Sequence, residues 1–433
     1  MRITETQAIL IGIELEKPFP LGFGTLSHLP RVLFRITAAD GGKKFEGVGE
    51  ASIDFPFSHY DAFDVYYALS KLHLADSDYN SRDQILESDE IRSLLLVNLP
   101  AAFTALNMAL DDVFGKIESK NVMEYYGKRR DYAQALSSIS FQKSTADSIK
   151  EAHAIANRGF VPKIKVGQGV EKDFDTLVAI DHEVENTGMQ YAMDFNAQYT
   201  LDEAKSLLLM LRQNNVLLKR AIFLEQPTRE ELGISALVDF KQMFKDIMGY
   251  QAVIIADESF VTLDDAITCA QNGLSLNYKI HKIGGLLIAC EIEAKLNDLG
   301  LLPLNSMVGG TFPTAIGRVY DQQSACVLEG VGVPSDGLEP STNWFKGIKH
   351  LVKEDFKEPN TKGYFIPMTG SGLGVTPDWE KIRSFVIDDP VEEYKRIRNG
   401  LPGKSIKIQL KPGQKYATIY REKTGKDPDW NLK

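Results

Sequence analysis

The sequence predicts an α/β fold, a TIM-like (β/α) barrel behind a smaller N-terminal α+β capping domain. Three observations carry that expectation. From about residue 131 onward, short apolar segments alternate with helical stretches about eight times, the pattern of a parallel sheet closed into a barrel. Before that, residues 1 to about 50 alternate like strands and residues 60–118 turn helical, which makes a small α+β unit. At 433 residues the chain is too long for one ordinary core, so a large barrel with a cap is in range.

Each element has its own signal. The run Ala8-Ile9-Leu10-Ile11-Gly12-Ile13 opens a first strand, and Val32-Leu33-Phe34-Arg35-Ile36 forms a second. Asp40-Gly41-Gly42 is a hairpin turn signal, followed by a third strand at 45–51. Residues 101–117 place apolar side chains at helix spacing. The barrel strands are expected at 132–141, 161–166, 190–195, 221–225, 252–256, 274–280 and 301–305, with a less sharply marked eighth at 330–336. Helices are expected between them at 173–186, 201–214 and 264–272. The expected division is a cap at 1–130, a barrel at 131–375, and a charged segment at 376–433 that returns to the cap or extends from it.

Composition excludes several classes. A net charge of −10 gives no basic surface for nucleic acid. The N-terminus lacks a signal-peptide core, and the apolar run at 8–13 is too short to span a membrane. Cys269, Cys290 and Cys326 are an odd number, widely spaced and without a C-x-x-C. They fit a reducing cytoplasm rather than a disulfide or zinc framework. A cytoplasmic protein is expected, working on a small-molecule carboxylate and assembling as a homo-oligomer.

The chemistry lies at the C-terminal ends of the barrel strands, where active-site groups of such barrels converge. In Val161-Pro162-Lys163-Ile164-Lys165-Val166-Gly167, Lys163 and Lys165 share one face, and Ile164 and Val166 the other. Taken alone, this stretch reads equally as an edge strand with its lysines in water. The following strands change the balance. Asp194, Glu225 and Asp257 end three successive strands, 31 and 32 residues apart, as one βα unit per ligand would place them. Each acid alone reads as a helix cap or turn residue. Three acids at repeated strand ends, with lysines on either side, read as an oxygen-only Mg²⁺ site.

The lysines then acquire roles. A carboxylate bound to Mg²⁺ has its α-proton acidified, because the metal stabilises the enediolate left behind. Lys165 and Lys279 lie on opposite sides of the three acids, so one can remove that proton and the other return it on the opposite face. Such a base must be partly neutral, and burial beside Lys163 and the metal favours that. The plain alternative for Lys279 is a structural ion pair with Glu258 or a neighbour. His281, two residues on, reads as a satisfied wall residue without a catalytic role.

The set K-x-K, D-x-N, E-Q-P, D-E-S and K-x-x-K-x-G-G, in that order, resembles the enolase superfamily. More narrowly it resembles the muconate-lactonizing-enzyme subgroup, over roughly residues 1–380, including F-G-T, G-V-G-E-A-S and a late G-S-G-L-G-V. The resemblance implies a modified barrel of the enolase type, a closing cap, one Mg²⁺ and an enolate intermediate. Lys163, Lys165, Asp194, Asn196, Glu225, Asp257, Glu258, Lys279 and Lys282 fall on family positions, with Asn196 and Lys163 at the substrate and Glu258 and Lys282 in support. Lys279 stands where mandelate-racemase-like members carry an aspartate, which disfavours that branch. The resemblance also puts specificity in the cap loop, here Phe19, Phe23 and Leu26, and at the last two strands, here Met307, Asp336 and Glu339. Dipeptide epimerases of the subgroup hold a substrate ammonium with a D-x-D pair; this chain has Pro334-Ser335-Asp336, keeping only the second acid. The expected activity is epimerisation of a hydrophobic dipeptide, with a lyase or cycloisomerase of the same family, o-succinylbenzoate synthase or muconate cycloisomerase in type, as the alternative. Asp336-Gly337 reads equally as a simple turn.

Overall fold

Three antiparallel strands open the chain: β1 (Arg2–Leu21), β2 (Gly24–Asp40) and β3 (Lys43–Ser52), with β2 in the middle. The computed structural model describes every residue except 22–23, 54, 56–57, 77–78, 80, 140, 143, 339–350, 356–361, 400, 402, 413 and 427–433; at 17, 19–21, 24, 76, 398 and 408 it describes the backbone only. Helix α1 (Ala62–Ser70) follows, and α2 (Pro100–Glu118) is buried continuously from Ala101 to Gly115. So long a buried run arises because α2 is covered on both sides, by the cap sheet and by the barrel. Gly49 makes the sheet side fit: a Cβ there would lie 1.9 Å from the Ala105 carbonyl oxygen.

The barrel begins with β4 (Leu136–Ile139), β5 (Val161–Lys165), β6 (Tyr191–Asp194), β7 (Ala221–Glu225), β8 (Ile254–Ala256) and β9 (Ser275–Leu276), parallel and neighbouring in chain order. Single bridges carry the ring onward, from Asn277 to Met307, from Ser306 to Val331 and from Ser335 back to Ala135. Helices α3 (Thr145–Asn157), α4 (Val170–Thr187), α5 (Leu201–Gln213), α6 (Gly233–Met248), α7 (Leu263–Gln271), α8 (Leu286–Asp298) and α9 (Ala315–Val327) alternate with these staves. Eight parallel staves with a helix after each of the first seven make the TIM-like barrel that the alternation predicts.

Two staves differ from expectation. The seventh is paired at Ser306 and Met307, not at 301–305. Pro303 has no N–H to give a ladder, and Leu304 is exposed. The sixth is paired only from Ser275 to Asn277, and by Ile280 the chain has turned into a single helical turn, Ile280–Ile283.

Side chains alternate across the barrel wall. Ile164, Val166, Met193 and Leu224 face outward into the main core under the helices. Leu136, Val161, Ala192, Phe223, Ile255 and Met307 face inward and form a separate apolar floor. Two residues further along the same strands stand Lys163, Asp194, Glu225 and Asp257, on the same inward face by parity.

The C-terminal segment adds β10 (Lys407–Leu410) to β2, next to the β1–β2 hairpin. Helices α10 (Pro390–Arg398) and α11 (Tyr416–Thr424) follow the same course. The Tyr416 hydroxyl donates to Asp61 at 2.7 Å, and Tyr420 donates to Asp64 at 2.9 Å. Asp61 caps α1, accepting from the Phe63 and Asp64 amides. Burial, then the neighbouring Asp64 carboxylate, pushes the Asp61 carboxyl up to about 7. The folded state therefore binds this proton more tightly than the unfolded chain, whose Asp titrates near ~3.9. The stabilisation is full below that value and is lost as pH rises through about 7. We expect the urea midpoint to be higher at pH 5 than at pH 8, and Asp61→Asn, which keeps a good cap, to shrink the difference. An undiminished difference in Asp61→Asn would assign it to other groups. Among the described residues, no helix is long and apolar enough to cross a membrane.

Candidate active site

The register aligns the site. Lys165, Asp194 and Glu225 are direct cross-strand partners on β5, β6 and β7, and Asp257 stands two residues past Ile255, the partner of Glu225. Parity therefore turns all three carboxylates and both β5 lysines into the barrel mouth. Lys163 is one pleat deeper than Lys165 and reaches up among the acids. Its ammonium lies 2.6 Å from Asp336, 2.7 Å from Glu225 and 3.3 Å from Asp194. Lys165 lies 2.7 Å from the Asn196 Oδ1 and 3.6 Å from Asp194. On the far side, Lys279 holds one Asp257 oxygen at 2.6 Å and Lys282 the other at 2.9 Å. Lys279 thus makes the ion pair with a neighbouring acid that its plain alternative allows, with Asp257 as the partner.

Burial would raise every one of these carboxyl groups, and the lysines decide the outcome. Against burial, Lys163 and Lys165 pull Asp194 below its ordinary value. Against burial, Lys279 and Lys282 hold Asp257 far below the usual carboxylate range. Glu225 goes the other way: burial raises it well above, Lys163 only partly opposes, and Asp194 and Asp257 add their repulsion. Burial opposes the Lys163 charge, but Asp336, Glu225 and Asp194 raise this lysine well above its ordinary value, so it is a fixed cation. Burial, then Asp257, pushes Glu258 up to about 7, and its Oε2 is buried with no hydrogen-bond partner among the described residues.

Two organising residues have no role assigned by the motifs, although Gln226 is the middle residue of E-Q-P. Gln226 is fully buried; its Oε1 accepts from the Asp257 and Ser259 amides at 3.0 and 3.2 Å, and its Nε2 donates to the Ser259 hydroxyl at 2.7 Å. It is a splint between β7 and the end of β8. Asn277 donates from Nδ2 to Glu225 at 2.6 Å. The only sequence signal for Asn277 is its position two before Lys279. Asn196 and Gln226 both take left-handed backbone, with φ of 46° and 39°, a strained choice that clusters at functional sites.

Several expected substrate contacts lie elsewhere. Met307 is fully buried in the apolar floor, below the charged layer. Leu26 packs in the cap beside Leu29, Pro30, Ile53, Phe55, Ala62 and Ile406, so its side chain is spent on cap packing. Asp336 is at the mouth, with its Oδ1 accepting from the Gly310 amide at 3.1 Å and its Oδ2 on Lys163. Phe23 and Glu339 lie outside the described residues, as does the side chain of Phe19.

Among the described residues no three His, Cys, Asp or Glu side chains converge closely enough to hold a metal ion. The lysine ammonium groups stand between the acids and supply the positive charge. The donor set itself fits a hard divalent cation: three buried, oxygen-only carboxylates on adjacent strand ends that repel one another.

Residues 147–381 match the family described as enolase C-terminal domain-like, more than half of the chain. The chain is 23% identical over 386 residues to an o-succinylbenzoate synthase of Enterococcus faecalis, covering 87% of this chain and 96% of the relative. It is 24% identical over 324 residues to a D-Ala-D/L-Ala epimerase of Cytophaga hutchinsonii, covering 73% and 82%. The muconate lactonizing enzyme from Pseudomonas putida superposes with a TM-score of 0.74 at 21% identity, over 89% of this chain and all of that one, which shows the fold. With these matches and a barrel whose strand ends carry K-x-K, D-x-N, E-Q-P, D-E-S and K-x-x-K-x-G-G, the chain belongs to the enolase superfamily, among its muconate-lactonizing-type members.

Proposed function

We propose that this protein is an Mg²⁺-dependent isomerase that moves the proton α to a carboxylate, most concretely an epimerase of dipeptides with hydrophobic side chains. The observation that supports it is the placement of Lys165 at the Asp194 end and Lys279 at the Asp257 end of one row of acids. Two amines on opposite sides are what inversion at one carbon requires. Asp194, Glu225 and Asp257 would hold the metal, which, when bound, supplies positive charge to the substrate carboxylate and so acidifies the α-carbon. Lys165 takes or gives the proton on one face and Lys279 on the other. Gln226, Asn196 and Asn277 keep the acids in register, and Lys282 keeps one oxygen of Asp257 neutralised while Lys279 reacts.

One observation favours a second reading. Both Asp336 oxygens are engaged, by Lys163 and by the Gly310 amide, which suits a substrate without an ammonium. That substrate class belongs to syn-elimination or cycloisomerisation with the same lysines. Solvent-deuterium uptake from a mixed L,L-dipeptide library, read by mass spectrometry with Mg²⁺ present, separates the two. Uptake at one α-carbon with the diastereomer appearing supports epimerisation. No uptake in any pool, from protein shown to bind Mg²⁺, removes it in favour of the lyase reading.

A further inference from the structure

The segment that carries Lys279 and Lys282 is poorly held by the barrel. Its ladder ends early: Asn277 donates to the Ala256 carbonyl and Tyr278 to the Met307 carbonyl, and Lys279 then bonds back to Asn277. The helical turn Ile280–Ile283 closes on itself through bonds from Lys282 and Ile283 to the Lys279 carbonyl. One isolated turn has little stability of its own, so its position is set from outside.

From Ile280 to Leu287, the outward hydrogen bonds of the described residues go to the cap, apart from the Lys282 ammonium on Asp257. The Thr104 hydroxyl of α2 donates to the Ile280 carbonyl at 3.2 Å. The Leu287 amide donates to Asn107 Oδ1, also of α2, at 3.1 Å. The Ser52 amide, at the end of β3, donates to His281 Nδ1 at 3.3 Å. Thr104, Asn107, Ser52 and His281 are all buried. The two glycines of K-x-x-K-x-G-G complete the fit. Both have φ near +105°; a Cβ on Gly284 would lie 2.3 Å from Leu96, and one on Gly285 would lie 2.6 Å from Asn107 Oδ1. The cap presses on this turn too closely for any larger residue.

His281 is therefore more than a satisfied wall residue. Because Nδ1 accepts from Ser52, its proton sits on Nε2, and burial, then Arg31 and Arg318, lowers the imidazole to about 3, keeping it neutral. Nε2 is buried without a hydrogen-bond partner among the described residues, 3.9 Å from Asp321. Half of the ring's polarity is left unsatisfied while the Ser52 contact is kept.

We propose that the cap is a positioning device for the Lys279–Lys282 turn, and that His281, through the Ser52 amide, is a positioning residue for Lys279 together with Thr104 and Asn107. The cap bonds other barrel segments as well, Arg31 and Glu50 holding residues 311–317; at 280–287 its three bonds and two glycine approaches meet a segment whose own ladder to the barrel has ended. The inference deepens the proposed function, since Lys279 matters as an acid/base, but its test does not use turnover.

The test is reductive methylation of the full chain with ¹³C-formaldehyde, followed by NMR of the dimethyl-lysine signals. The Lys279 signal is identified by its loss in Lys279→Arg. It is expected outside the cluster of surface lysines in the wild type, and to move into that cluster in His281→Leu. In His281→Asn, whose amide oxygen can replace Nδ1 as acceptor, it is expected to stay. Thr104→Val gives the same displacement, smaller, by a change on the cap side. A folded His281→Leu with the Lys279 signal unmoved overturns the proposal, as does a wild-type signal already among the surface lysines. Failure of both His281→Leu and Thr104→Val to fold also overturns it, because the contacts would then serve the fold and not the lysine. If turnover survives Lys279→Ala while the signal moves as expected, the acid/base reading fails and the positioning stands.

Discussion

Lys279→Ala is expected to lower turnover about 100- to 10,000-fold, the usual worth of one general acid or base, without unfolding the protein. The fold survives because Lys282 still holds the second oxygen of Asp257 at 2.9 Å. In Lys165→Ala, Lys163 similarly remains 3.3 Å from Asp194. The two variants are expected to fail in different ways. Lys279→Ala keeps solvent-deuterium exchange from the substrate isomer whose α-proton faces Lys165 and loses it from the other; Lys165→Ala does the reverse. Both lose epimerisation. Full turnover in both variants would sink the two-base reading, and equal loss of exchange from both isomers in each would mean that the lysines act as a single unit.

Lys163→Ala is expected to damage the fold as well as the chemistry. One buried ammonium touches Glu225, Asp336 and Asp194, and removing one partner of a buried ion pair costs about 3–5 kcal/mol. The loss is expected in urea unfolding of chelator-treated protein. The pH sign follows from the same contacts. Without Lys163 the folded-state affinity of Glu225 for protons rises further above that of the unfolded chain, and Asp194 loses the nearer of the charges that hold it below its ordinary value, so the deficit grows as pH rises and is smaller at pH 5 than at pH 8. A loss below ~1 kcal/mol, or one independent of pH, would mean that water screens the three acids and that the ammonium is not their main support.

The two experiments treat neighbouring lysines on one strand as different chemical objects. Lys163 is 2% exposed and Lys165 is half-buried at the mouth. A spacing of two residues assigns both to one face of a strand, but says nothing of depth along it. The same limit explains Met307 and Leu26. Each sits beside the right motif in the chain, yet one belongs to the floor of the barrel and the other to the core of the cap.

By itself, the sequence determined the repeated βα units, the closing of the barrel, and the strand ends at which Lys165, Asp194, Glu225, Asp257 and Lys279 stand. These are local matters: a period of two along a strand, and one acid per repeating unit, are written in adjacent residues. Tertiary structure alone decided that Lys163 joins three acids from three other staves, that Gln226 splints Asp257, and that Asn277 reaches Glu225. It also decided that Thr104, 176 residues away, holds the carbonyl of Ile280. Such contacts depend on how closely separate layers pack, and closeness between distant segments is a property of the folded core, which no local pattern records.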